Sequence, residues 1–88
     1  MPEVIIYTTK TCPYCVLAKE LLSMRGYLYQ EIDVTGNQAL REELVGRTGG
    51  RKTVPQIFFD GVSMGGYDDL AARDRDGALP APGDQQGV

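Results

Sequence analysis

A β-branched strand signal runs into Cys12-Pro13-Tyr14-Cys15, and a helical pattern follows at once. This order of strand, CxxC and helix constrains the fold more than any other feature of the chain. Val4, Ile5, Ile6 and Tyr7 favour a pleated sheet, and their unbroken apolar run suits a buried central strand over residues 3–8. TTKT is a short polar loop. From Pro13 to about Arg25 the period becomes helical. Pro13 fits the first turn, where its missing N–H would be unpaired anyway. Cys15, Ala18, Leu21 and Leu22 recur at spacings of three and four, with Lys19, Glu20 and Ser23 facing away. Gly26 stops the helix. Residues 27–33 alternate as a second strand, which closes a βαβ unit with parallel strands.

The rest of the chain adds a helix, a hairpin and a helix. Asn37 can cap a helix that runs to about Arg47, with Leu40 and Leu44 stacked four apart and Gly49-Gly50 as its end. QIFF and VSM flank Asp60-Gly61, a two-residue hairpin signal. Gly65-Gly66 closes the hairpin. Asp68 and Asp69 then fall in the first turn of a helix over Tyr67 to Asp76, where the dipole favours negative charge. The expected fold class is α/β, a four-stranded mixed sheet with three helices in the order βαβ-α-ββ-α. At 88 residues there is room for one core, expected over residues 1–76. The end, GALPAPGDQQGV (77–88), has three Gly, two Pro and no Phe, Tyr or Ile, and is expected to be a flexible tail.

Composition removes several chemistries. Histidine is absent, which excludes Ser/His/Asp and Cys/His catalysis. Two cysteines cannot close a four-ligand zinc site, and no metal site is expected. Net charge is −3, which argues against broad nucleic-acid binding. The charge is uneven: residues 1–59 carry seven basic and six acidic groups, residues 60–88 two and six. No run approaches the roughly 20 apolar residues of a membrane span, and MPEVIIYTTK lacks the basic start and long apolar stretch of a signal peptide. A cytoplasmic location is expected, where neighbouring thiols are redox-active or metal-binding more often than they are permanent staples.

The CPYC segment carries the chemistry. Cys12 falls at the start of the helix, where unpaired N–H groups and the positive dipole end favour thiolate over thiol and lower its pKa below the free value of about 8.5. Lys10 can add positive charge. Cys15, on the apolar face, is expected to be buried. One sulfur therefore attacks and the other resolves the mixed disulfide. The bland alternative is a pair of small buried hydrophobes or half a metal site. Tyr14, between the cysteines, is expected to be exposed.

Three further segments bear on a ligand. Thr53-Val54-Pro55 precedes the third strand. A cis peptide there would turn the Val54 N–H and C=O outward for strand-like pairing, though only about 5–6% of X–Pro bonds are cis. Gly65-Gly66-Tyr67-Asp68-Asp69 offers free N–H groups to a carboxylate and Asp68 to an ammonium group, or it is simple helix capping. Arg47, Arg51 and Lys52 form a basic patch suited to a small anion, or a solvated loop.

Cys12-Pro13-Tyr14-Cys15, Thr53-Val54-Pro55 and Gly65-Gly66-Tyr67-Asp68-Asp69, in that order, resemble the dithiol glutaredoxins from about Val4 to Asp76. The resemblance implies a thioredoxin-like fold, a cis Pro55 and glutathione as partner and reductant, with no bound cofactor. It implies that Cys12 attacks and carries the glutathione mixed disulfide and that Cys15 resolves protein disulfides. Thr53, Val54 and Pro55 then meet the cysteinyl part of glutathione, Val54 pairing with its backbone. Gly66, Tyr67 and Asp68 hold its γ-glutamyl end, with Tyr14 beside the sulfur. The family often has Lys three residues before the first cysteine; here Thr9 stands there, so Lys10, Arg41 or Arg47 is left to hold the glycyl carboxylate. Tyr67 stands where the family often has a small residue or Cys. The implied activity is reduction of protein disulfides and glutathione mixed disulfides by a monomer. Partners are disulfide-containing or glutathionylated proteins, ribonucleotide reductase among the candidates. Two alternatives share the cysteines. One is a thioredoxin-like electron donor reduced by a flavoprotein reductase, which does not need the GGYDD segment. The other is a dimer holding a glutathione-ligated [2Fe–2S] cluster, which the rigid, crowded Pro13-Tyr14 oppose.

Overall fold

A computed structural model describes residues 2–80. Seven elements follow in chain order: β1 (Val4–Thr8), α1 (Pro13–Met24), β2 (Tyr29–Asp33), α2 (Gln38–Thr48), β3 (Gln56–Phe59), β4 (Val62–Gly65) and α3 (Tyr67–Arg75). The sheet order is β2-β1-β3-β4. β1 pairs parallel with β2 and antiparallel with β3, and β3 pairs antiparallel with β4 across an irregularity at Ile57/Phe58. This is the expected mixed sheet. The β3–β4 turn has positive φ at both Asp60 (51°) and Gly61 (82°), the primed geometry that twists with the strands.

Alternation in β1 and β3 feeds two cores. On one face Val4, Ile6, Ile57 and Phe59 pack with Ala18 and Leu22 of α1 and Leu70 of α3. On the other, Tyr7 and Phe58 pack with Val34 and Leu44 of α2. Three helices therefore cover both faces, and the first face carries α1 and α3 side by side. Polar ties pin α1 to its surroundings. The Thr8 hydroxyl donates to Glu31 at 2.7 Å, and Lys19 donates to the same carboxylate oxygen at 3.1 Å. Arg25 forks onto Asp74 at 2.7 and 3.0 Å, joining the ends of α1 and α3.

Several boundaries differ from the sequence reading by a residue or two; β1, for one, begins at Val4 and not at residue 3. β2 begins at Tyr29, not at residue 27, because Tyr27 turns into the core with its ring 5.0 Å from that of Phe59. α3 ends at Arg75, with Asp76 as its cap. Of the expected tail, residues 77–80 are described: Leu79 packs against the first core, and the Tyr27 hydroxyl donates to the Pro80 carbonyl. Residues 81–88 lie outside the described residues.

Candidate active site

β1 delivers the chain to the amino end of α1, and Cys12 is the residue that caps this helix. Its backbone is extended (φ −129°, ψ 100°), and its sulfur accepts from the Cys15 N–H at 3.1 Å. Sulfur thus takes the place of the oxygen that Ser, Thr, Asn or Asp would supply. Pro13 opens the helix, and no acidic residue lies in its first turn, so the positive end of the dipole faces Cys12 uncompensated. Cys12 and Cys15 are joined as a disulfide with Cα atoms 5.2 Å apart. Cys12 is partly exposed; Cys15 is 1% exposed, under the apolar face of α1. Tyr14 is 58% exposed.

A second segment meets the first. The Val54–Pro55 peptide is cis, and the Cys12 sulfur lies 3.7 Å from the Val54 carbonyl oxygen. Thr53, Val54 and Pro55 form one wall of a groove of about 300 Å³. Tyr14, Gly66, Tyr67 and Asp68 line the rest, with Arg51 and Asp69. Gly66 sets the start of α3 against the proline loop: a Cβ there would stand 3.3 Å from the Pro55 carbonyl oxygen. Asp69 accepts from the Gly66 N–H at 3.1 Å and from Arg51 at 3.2 Å. The Gly66 N–H first, then the Arg51 guanidinium, hold its carboxyl below the ordinary carboxylate range. Asp68 is exposed and makes no hydrogen bond or ion pair among the described residues.

The groove therefore brings together Tyr14, Thr53, Val54, Pro55, Gly66, Tyr67 and Asp68 beside Cys12. The three basic residues offered for the glycyl carboxylate, Lys10, Arg41 and Arg47, do not join them there. Arg41 lines a second groove, of about 420 Å³, together with Lys52. Arg47 donates to the Tyr7 hydroxyl at 2.8 Å and lies 5.5 Å over the Phe58 ring, a structural position on the α2 face. Lys10 is exposed, its backbone N–H bonded to the Thr35 hydroxyl at 2.9 Å. Arg51 and Asp69 were not assigned to a site by sequence reasoning. Each belonged to a segment already singled out, but nothing in the chain pattern pairs residues 18 apart across a loop and a helix.

A glutaredoxin family profile matches residues 4–64, which holds β1 through most of β4. The chain belongs to the glutaredoxin family. Glutaredoxin 3 of Escherichia coli K12 is 54% identical over 79 residues, covering 90% of this chain and 94% of its own. A glutaredoxin of Pseudomonas aeruginosa is 51% identical over 81 residues, covering 92% and 95%. Among solved structures, a buckwheat glutaredoxin–glutathione complex superposes with a TM-score of 0.80 at 31% identity, covering 89% of this chain and 73% of that one. Glutaredoxin from Brucella melitensis superposes with a TM-score of 0.76 at 48% identity, covering 88% and 83%. The fold of this glutaredoxin is thioredoxin-like, and its Cys12–Cys15 pair is the redox-active pair of a thiol oxidoreductase. No helix among the described residues is long and apolar enough to cross a membrane.

Proposed function

We propose that this glutaredoxin is a cytoplasmic, glutathione-dependent thiol–disulfide oxidoreductase, working as a single domain. It reduces protein disulfides with both cysteines and glutathione mixed disulfides with Cys12 alone. The observation that carries the reading is the Cys12 sulfur 3.7 Å from the carbonyl of Val54, which lines one groove together with the start of α3 and the unpaired carboxylate of Asp68. The groove volume falls at the small end for ligand sites, which suits a tripeptide.

In the reduced protein the Cys15 N–H and the α1 dipole stabilise a Cys12 thiolate. That thiolate attacks the glutathionyl sulfur of a mixed disulfide. The old S–S bond breaks, a Cys12–glutathione bond forms, and the substrate leaves as a thiolate that takes up a proton. A second glutathione thiolate then attacks the glutathionyl sulfur, releasing glutathione disulfide and restoring Cys12. With a protein disulfide, Cys12 attacks first and the buried Cys15 displaces the product, leaving the Cys12–Cys15 disulfide for two glutathiones to reduce. The Val54 backbone pairs with the cysteinyl residue of glutathione. The Tyr67 N–H takes the γ-glutamyl carboxylate at the helix terminus and Asp68 takes the ammonium group. For the glycyl carboxylate we retain Arg41, which lines a separate groove with Lys52. Arg47 gives one N–H to the Tyr7 hydroxyl and lines neither groove, which counts against it.

The roles separate by mutation. Cys15→Ser should keep turnover of a small glutathione mixed disulfide, and Cys12→Ser should abolish it. Turnover in the Cys12→Ser protein would overturn the assignment.

A further inference from the structure

Gln56 opens β3 and is fully buried, the one polar residue in the buried run Gln56-Ile57-Phe58-Phe59. It stands opposite Tyr7 in the β1–β3 ladder, so its side chain lies on the α2 face with Tyr7 and Phe58, where an apolar side chain would extend the second core. Its amide nitrogen donates to the Thr53 hydroxyl at 3.2 Å. Its amide oxygen is buried with no hydrogen-bond partner among the described residues. Turning the amide over would give the oxygen the Thr53 hydroxyl as donor and orphan the N–H groups instead, so one polar end stays unpaired in either orientation. A buried polar atom without a partner lowers stability, and an apolar side chain of the same size would not carry that cost.

Thr53 supplies a reason for the amide. The Thr53–Gln56 bond spans Val54 and Pro55, and it ties together the two ends of the short segment whose Val54 carbonyl lies 3.7 Å from the Cys12 sulfur. Thr53 is exposed and lines the groove, whereas Gln56 is buried and does not. The Thr53 hydroxyl makes no other hydrogen bond among the described residues. With its oxygen accepting from the amide, its own proton is left for an acceptor outside the protein. We propose that Gln56 is a positioning residue: its amide holds the Thr53 hydroxyl, and through it the Val54 backbone, in the shape that receives a ligand, at a cost in stability. This rests on the glutathione reading above and deepens it. Gln56 is too deep to touch a ligand, so it acts on binding of the glutathionyl group through Thr53 and not on sulfur exchange at Cys12.

The test measures melting and kinetics together on Gln56→Met, Gln56→Leu, Thr53→Val and the double variant Gln56→Met with Thr53→Val, with Thr53→Ser as the conservative control. Gln56→Met and Gln56→Leu remove the orphaned polar end, so at least one of them should melt at or above the wild-type temperature. Both should nevertheless raise KM for a small glutathionyl mixed disulfide about two- to tenfold with kcat nearly unchanged, the range of one hydrogen bond. Thr53→Val removes the hydroxyl itself and should raise KM at least as much. The double variant should be no worse than Thr53→Val, because the tie is lost once. Thr53→Ser should retain the wild-type KM. An unchanged KM in either Gln56 variant, losses that multiply in the double variant, or a melting temperature lowered in both Gln56 variants would overturn the proposal. A wild-type protein inactive on the glutathionyl substrate would instead overturn the glutathione reading. The tie has a readout that needs no ligand: in Gln56→Met the NMR order parameter of the Val54 amide should fall while those of Ile57 and Phe58 hold, and an unchanged Val54 would sink the positioning role on its own.

Discussion

Cys12 stands at a helix cap, and that single placement joins its structural and chemical parts. The Cys15 N–H that its sulfur accepts is one of the orphan donors of the first turn. The same donor stabilises negative charge on the sulfur when the disulfide opens. Cys15, three residues later on the apolar face, is kept from solvent. Both positions were legible in the sequence, because a spacing of three on a helix puts the two sulfurs together and the pattern of Ala18 and Leu22 shows which one is inside. Asp68 illustrates a different kind of residue. Its carboxylate is exposed, and its proposed partner is the ammonium group of the ligand. Asp68→Asn should therefore raise KM for a glutathionyl substrate about two- to fivefold at low salt with kcat little changed, the range of an exposed ion pair. Steady-state kinetics at two ionic strengths check it, since the wild-type advantage should shrink with salt.

α3 is the element whose terminus faces the groove, and Asp69 fixes that terminus. Its carboxylate ties the Gly66 N–H and the Arg51 guanidinium together, so the helix start and the loop before Pro55 share one anchor. The depressed pKa of Asp69 sets the sign of its pH dependence. A carboxyl held below its unfolded value stabilises the fold at pH values above the ordinary carboxylate range, and this stabilisation is lost as pH falls through the lower folded value. Asp69→Asn should lower Tm by a constant amount from neutral pH down to about pH 5, and the difference from wild type should close below about pH 4. Thermal melts of the two proteins across that range are the check; a difference that grows in acid would contradict it. Most elements could be read from local signals. Asp60-Gly61 specified a turn with two positive φ values, and Asn37 supplied the α2 cap by accepting from the Leu40 N–H at 3.0 Å. The start of β2 could not, because alternation around Tyr27 looks the same whether its ring lies on a strand face or turns beneath the sheet onto Phe59.

At the scale of the molecule, the net charge of −3 conceals an ordered division. Arg51 lines the first groove, and Arg41 and Lys52 the second, while much of the acidic excess follows residue 59. The cis Val54–Pro55 bond and the meeting of three distant segments at one groove depend on the whole sheet. They were legible through likeness to a family rather than through any local pattern. The same limit applied to the basic residues: charge type was visible, but only the packing of α2 showed that Arg47 turns to Tyr7 and Arg41 to the second groove. The central claim is that the assembled site uses glutathione as its reductant. The most direct measurement follows NADPH oxidation with glutathione, glutathione reductase and a small glutathione mixed disulfide, against a parallel assay in which thioredoxin reductase and NADPH are offered to the oxidised protein. Glutathione-dependent turnover that saturates with the mixed disulfide, without reduction by thioredoxin reductase, is the predicted result. Reduction of the Cys12–Cys15 disulfide by thioredoxin reductase alone, with no turnover in the glutathione system, would contradict the account.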